Sequence, residues 1–457
     1  NNEGVKVENY QFSGFISDVF SKNDKYSFYY DGKKLNLNLL EDEGVGLGME
    51  KKEEFLMANL TTGGLVGLYN NICRNDIIDD TAVIYPSMIF IPRYAGPIKN
   101  KFNRLLFKGK IVNLLFPPIQ KVKYDSARNL KAKFDGSKKI ILKSFDETDV
   151  DFETTINQEQ IHCKFGVYWP GTINPKDEDL GKLVSYFEIH FEEEKDIKEI
   201  LPLYISVRKF FQFLIKQKDI YFEEIEVGLK SSNGNFDKIG YFIDNTAKLN
   251  DIKLSYTINN LVPNIGKLFS KITENDLNNN FIAKDNFEAK YITSESYIKV
   301  CGAFEHNYEL IFKTLPEKDK FKINSIEYIK QILDEKIEKE KLNKNYKKYY
   351  KHIIEVLYND LNSVATQYNR CLGHYQPAID DFLIKILHRY GLKNEKLLGD
   401  EFSKFRNNDA HGGVIEFTNP SICAFLVGLV LIECMIFEEA DYTLSEIKEI
   451  IKSRYNF

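Results

Sequence analysis

The chain reads as an α+β multidomain protein, with a β-rich, sandwich-like N-terminal half followed by an all-α helical bundle. Two observations predict this. The apolar residues recur with a period near two as far as residue 195 and with helical spacing afterwards. Late in the chain, Ile422 to Ile432 carries no charge at all, as a helix buried in a bundle or at a subunit interface should.

The strand signals come first. Tyr26 to Tyr30, the turn pair Asp31-Gly32, and Leu35, Leu37 and Leu39 in alternation make a hairpin. Phe134-Asp135-Gly136 before Ile140 to Leu142 reads as another. Gly63-Gly64-Leu65-Val66-Gly67-Leu68 predicts a buried strand with glycine bends. Val83 to Tyr85 and Met88 to Ile91 are strand-like, with Pro86 marking an edge or a break. Phe187, Ile189 and Phe191 alternate with Glu188 and His190, the pattern of a half-buried strand.

Helical spacing takes over at Asp196. Residues 243–290 are rich in Asn, Asp and Lys, including Asn278-Asn279-Asn280, and are expected to form the hinge between halves. Beyond it, Tyr297 to Ile311 fits a helix, and Ile326, Ile329, Leu333 and Ile337 mark a long one starting at Ser325. Ile353, Ile354, Leu357, Leu361 and Val364 belong to a third. Pro377 is expected to open a segment ending near Gly391. Asn419-Pro420 reads as an N-cap with proline at the first helical position. Leu444, Ile447, Ile450 and Ile451 give a final amphipathic helix.

Composition sets the class. The 457 residues suit two or three domains. A net charge of −5 argues against a protein that coats nucleic acid, though not against a local basic pocket. The six cysteines are scattered without a Cys-x-x-Cys pair, which argues against a disulfide framework or zinc site. No signal peptide opens the chain, and the eleven-residue run Ile422 to Ile432 is too short to span a bilayer. A cytoplasmic location without a membrane partner is expected.

The sharpest chemical signal is Arg406-Asn407-Asn408-Asp409-Ala410-His411-Gly412. A histidine moves protons near neutral pH, and an arginine is always charged and can brace a phosphate as charge builds on it. Together they suffice for cutting RNA without a metal. If the segment is helical, Asn407 and His411 share a face, with Arg406 about 100° round the helix. Gly412-Gly413 should stop the helix just after His411. The bland reading is an Arg406–Asp409 surface pair at i,i+3.

Other candidates are less specific. Lys341, Lys344, Lys347, Lys348 and Lys351 form a basic stripe interleaved with Tyr346, Tyr349 and Tyr350. That suits single-stranded RNA, but it also reads as a solvated face balanced by Glu338 and Glu340. Arg370 and His374 are four apart, and Gly373 between them suggests a helix end. His162 and His190 stand alone in strand-like context and read as structural. There is no phosphate-binding P-loop, dinucleotide fingerprint or nucleophile elbow.

An all-helical domain carrying Arg406-Asn407 and His411, followed by a long apolar helix, resembles a HEPN domain. Ser294-Glu295 and Gly302-Ala303-Phe304-Glu305-His306 are similar to the opening helix of the ApeA-type HEPN group. The N-terminal half resembles the β-rich ApeA N-terminal domain, including Leu203 to Leu214 running into Ile220 to Ile225. The resemblance implies an antiphage defence endoribonuclease acting by abortive infection, with tRNA among its targets at the level of the family. It implies a homodimer or higher homo-oligomer with motifs facing across a two-fold axis, and it brings Glu305 near the active-site helices as an accessory residue.

The expected organisation is a sensor or regulatory domain over 1–195, a helical connecting region and hinge over 196–285, and a HEPN ribonuclease domain over 286–457. The expected site is Arg406, Asn407 and His411 with Glu305 beside them, Lys344, Lys347, Lys348 and Lys351 on RNA, and neither metal nor cofactor. The expected partners are RNA, a second copy and a phage-derived trigger. Two alternatives stay open. In one, the helical domain is a non-catalytic dimerisation or RNA-binding scaffold. In the other, the β-rich half is the functional ligand- or protein-binding module.

Overall fold

The computed structural model describes residues 11–20, 24–41, 49–76, 81–93, 100–118, 149–168, 184–245, 256–274, 277–312, 317–339, 344–361, 363–410 and 416–456. They form two units, 1–215 with 219–259 and 216–218 with 260–457.

In the first unit, β1 (Phe12–Ser17), β2 (Lys25–Tyr30), β3 (Leu35–Glu41), β4 (Met49–Leu60), β5 (Leu65–Asp76) and β6 (Thr81–Pro92) pair antiparallel in the order β3-β2-β1-β4-β5-β6. β6 then pairs back onto β3, Leu35 lying opposite Ile84. The ring is therefore closed, and the expected sandwich is here a six-stranded barrel. Alternation decides what fills it: Tyr26, Phe28, Tyr30, Leu35 and Leu37 share its core with Ile16, Leu68 and Ile84. The Asp31-Gly32 turn forms as expected, with Asp31 Oδ1 accepting from the amides of Lys33 and Lys34. Gly63 and Gly64, both at positive φ, turn β4 into β5. The proposed hairpin around Asp135 lies outside the described residues.

Pro86 breaks nothing. β6 runs through it, and what changes there is the neighbour. Ala82 to Ile84 pair with β3, whereas Met88 to Pro92 pair with β12 (Phe236–Asp244). No strand pairs with residues 85–87 on the side where β3 gives way to β12, so Pro86 sits at a local edge, and its carbonyl accepts from the Asn245 side chain at 3.3 Å.

The sheet continues past the barrel through β11 (Glu224–Lys230), β7 (Lys101–Lys108), β10 (Val184–Asp196), β9 (Glu159–Tyr168) and β8 (Val150–Ile156), in the order β6-β12-β11-β7-β10-β9-β8. The short helix α1 (Lys110–Leu115) follows β7. Helix α2 (Ile200–Ile215) covers one face, its Phe211 packed on Phe165, Phe187 and Phe222, and its Tyr204 on Phe242. The helical connector expected over 196–285 thus contains α2 but also two strands in the middle of the sheet. Ile225, Val227 and Leu229 are buried at a period of two, which a helix cannot satisfy. Residues 220–225 lead into β11 and do not extend α2.

The second unit holds α3 (Ile265–Thr273), α4 (Asn286–Lys290), α5 (Ser294–Ile311), α6 (Glu317–Lys339), α7 (Lys344–Leu361), α8 (Val364–Arg389), α9 (Leu398–Ala410), α10 (Asn419–Glu439) and α11 (Leu444–Tyr455). Helix α10 packs against α3, α5, α8, α9 and α11, which is why it can be apolar on every side. Its 21 residues are long and apolar enough to cross a membrane, which corrects the expectation drawn from the eleven-residue run. Its most apolar window is 78% buried, as in a bundle core. Thr418, and not Asn419, caps it, in a capping box with Ser421.

One other expectation changes. Helix α8 passes straight through Gly373 and Pro377. Proline removes one helical donor and crowds the carbonyl four residues back, here that of Gly373. Both residues lie on the exposed face, where that carbonyl can turn to water. The boundary between the two units, at 259/260, falls within the Asn-rich stretch 243–290, and near the end of that stretch Asn307 of α5, fully buried, accepts from the Asn278 amide at 2.8 Å and donates to its carbonyl at 3.2 Å.

Candidate functional site

Packing puts Arg406 and Glu305 at one edge of the bundle. On α9, Phe402 and Phe405 are buried. Phe402 lies against Phe304 and Tyr368, and Phe405 stacks on Tyr297 with ring centres 3.7 Å apart. That fixes the rotation of α9 and sends the next residue, Arg406, to the rim. On α5, Val300, Cys301 and Phe304 face inward, so Glu305 takes the rim position there. The two side chains meet as a fork. Arg406 Nε donates to Glu305 Oε1 at 3.1 Å and Nη2 donates to Oε2 at 3.3 Å. Arg406 is 46% exposed and Glu305 27%.

Cys301, one turn before Glu305, registers the charges. Burial pushes its thiol up, the Glu305 carboxylate adds to that, and Arg406 opposes it. The arrangement holds a guanidinium plane at the protein surface against a fixed carboxylate. Such a plane can grip two phosphate oxygens at once.

The structure therefore brings Arg406 and Glu305 together. Asn407 follows Arg406 on α9, but its side chain lies outside the described residues, as do His411 and Gly412-Gly413; the described helix ends at Ala410. Lys347, Lys348 and Lys351 are exposed on α7 with Tyr346 and Tyr349, and Lys344 opens that helix. Lys341 and Glu340 lie outside the described residues.

A second polar cluster escaped the sequence reading. His374, taken for a residue near a helix end, sits mid-helix with Nε2 2.9 Å from Glu438 Oε1 on α10, and the Tyr375 hydroxyl donates to the same carboxylate. Glu438 lifts the imidazole above its usual range. No local pattern links residues 64 apart, so only the fold discloses the pair. One helical turn earlier, Arg370 donates to the Tyr308 hydroxyl at 3.2 Å.

His162 and His190 are not isolated. They occupy adjacent strands with ring centres 5.8 Å apart, and each has a carboxylate, Asp151 and Glu188 respectively, at 3.3 Å. Among the described residues, no group of three or more His, Cys, Asp or Glu is arranged to hold a metal ion. All six cysteines are buried as free thiols. Compared with models of known families, with curated proteins and with solved structures, the chain matches none.

Proposed function

We propose that the C-terminal helical unit is an endoribonuclease of the HEPN class and that the chain acts in antiphage defence by abortive infection. The observation that carries this reading is the fork between Glu305 and Arg406. The two residues named by the motif and by the resemblance, 101 positions apart, meet at a solvent-facing rim.

The chemistry follows from the side chains. A substrate 2′-OH attacks the adjacent phosphate, which is why the substrate is RNA. Arg406 stabilises the charge growing on the phosphoryl oxygens. Glu305 sets the plane of the guanidinium and acts as a positioning residue. His411 transfers the proton as general acid or base, and Asn407 orients it or a phosphate oxygen. In a dimer, one His411 deprotonates the 2′-OH and the other protonates the leaving 5′-oxygen. The products are a 2′,3′-cyclic phosphate and a 5′-hydroxyl. The β-rich unit is read as the sensor of a phage-derived trigger.

The test is to sequence RNA ends after induction, with His411→Ala as control. Discrete cuts bearing cyclic phosphates in the wild type alone are expected. No cuts under a trigger that activates defence would leave the scaffold reading in possession.

A further inference from the structure

Glycine is a poor helix former, and inside a helix it is well placed only where a Cβ would be in the way. At Gly428 of α10 a Cβ would come within 2.8 Å of the Phe402 ring, and at Gly399 of α9 within 2.7 Å of the Ala365 carbonyl oxygen. Gly373 of α8 is the residue whose carbonyl Pro377 crowds. Gly302, in the middle of α5, has no such neighbour. It is exposed, the residue four positions on is His306, and a Cβ there would meet nothing within 4 Å among the described residues. Its location is distinctive. Ile298, Gly302 and Glu305 are spaced four and then three residues apart, so they share one face of α5. Glu305 holds Arg406 in the fork. The open backbone of Gly302 lies about 4.5 Å along the helix axis from Glu305, and Ile298 about 6 Å beyond that. Ile298 is 38% exposed.

We propose that this strip of α5 is a nucleoside subsite, which seats the nucleoside joined to the phosphate that Arg406 grips. The proposal rests on the reading of Arg406 as the phosphate-binding group. Cation, open backbone and apolar side chain follow one another in the order phosphate, sugar, base. With the phosphate on the guanidinium, the ribose lies against the backbone at Gly302 and the face of the base packs on Ile298. A side chain at 302 would stand where the sugar lies, which is the close approach to a ligand that glycine alone permits. Charge sets the direction of the strand. Glu309, one turn past Glu305, is an exposed carboxylate and repels a phosphate on that side. On the other side, Glu295 beyond Ile298 is already paired with Lys299 at 2.7 Å.

The test uses the full chain carrying His411→Ala, so that RNA is bound without being cut. Affinity for fluorescein-labelled oligouridylate is read by anisotropy, with melting temperature and mass measured alongside. Gly302→Leu installs a better helix former, so the melting temperature should rise while the affinity falls by about tenfold or more. Gly302→Ala should show both effects in smaller measure, and Ile298→Ser should weaken binding severalfold. Gly373→Ala should leave the affinity unchanged. A raised melting temperature with unchanged affinity in Gly302→Leu would show an idle surface glycine and overturn the proposal, with the nuclease reading still standing. A His411→Ala chain that binds no RNA would overturn both. A Gly302→Leu chain of lower mass than its parent would give the strip to a second copy and overturn the proposal as well.

Discussion

The Arg406 guanidinium on α9 faces the Glu305 carboxylate on α5 in a two-point fork, Nε to Oε1 at 3.1 Å and Nη2 to Oε2 at 3.3 Å. A pair this exposed adds under about 1 kcal/mol to stability, so its effect should fall on geometry. Glu305→Ala should slow cleavage by up to about a hundredfold through loss of arginine alignment. Glu305→Gln should keep part of the rate, and the melting temperature should hardly move. Unchanged single-turnover rates in Glu305→Ala would remove it from the site.

His411→Ala should abolish cleavage, because His411 is the motif's only side chain that titrates near neutrality. Arg406→Ala should cost about two or more orders of magnitude. Arg406→Lys should recover only part, since an ammonium cannot hold two oxygens in a plane. Chelator should leave the rate intact. Products ending in a 3′-hydroxyl would show that another chemistry operates.

Glu433 should be the most sensitive charged position of the bundle. It is 3% exposed, bonded by Arg454 at 3.0 Å, with Lys216 at 3.1 Å and the Tyr455 hydroxyl at 3.2 Å. Glu433→Ala leaves a buried guanidinium without its anion and should cost about 3–5 kcal/mol. Chemical denaturation measures this; a loss within 1 kcal/mol would mean that water reaches Arg454.

The His374–Glu438 pair should make stability depend on pH in a defined window. His374 is held above its ordinary 6.5, so its contribution is fully present below 6.5 and is lost as pH rises through the folded value. Glu438, held below its ordinary 4.5 chiefly by the His374 hydrogen bond, contributes above 4.5 and loses that as pH falls through its folded value. The melting-temperature difference between wild type and His374→Asn should therefore peak between pH 4.5 and 6.5 and shrink at higher pH. A difference that does not vary with pH would assign His374 a packing role alone.

Much of this was legible because the signals are local. The Asp31-Gly32 hairpin closes over residues 31–34, and the start of α10 was misplaced by a single residue, Thr418 capping it in place of Asn419. Pro86 does mark a local edge without breaking β6, whereas Pro377 misled. A proline's cost depends on what surrounds it: at Pro86 the neighbouring strand changes from β3 to β12, and at Pro377 the crowded carbonyl lies on the exposed face.

By itself, the sequence determined the change from strand to helix, the buried course of α10, and the Arg406 to His411 motif, since periodicity and spacing lie along the chain. Only the tertiary structure decided that β3 and β6 close a barrel, that β11 and β12 return to the sheet after α2, and that Glu305 meets Arg406. Each of these joins residues far apart in the chain. Such contacts arise from the rotation and register that close packing imposes on whole elements, and no window of sequence contains them.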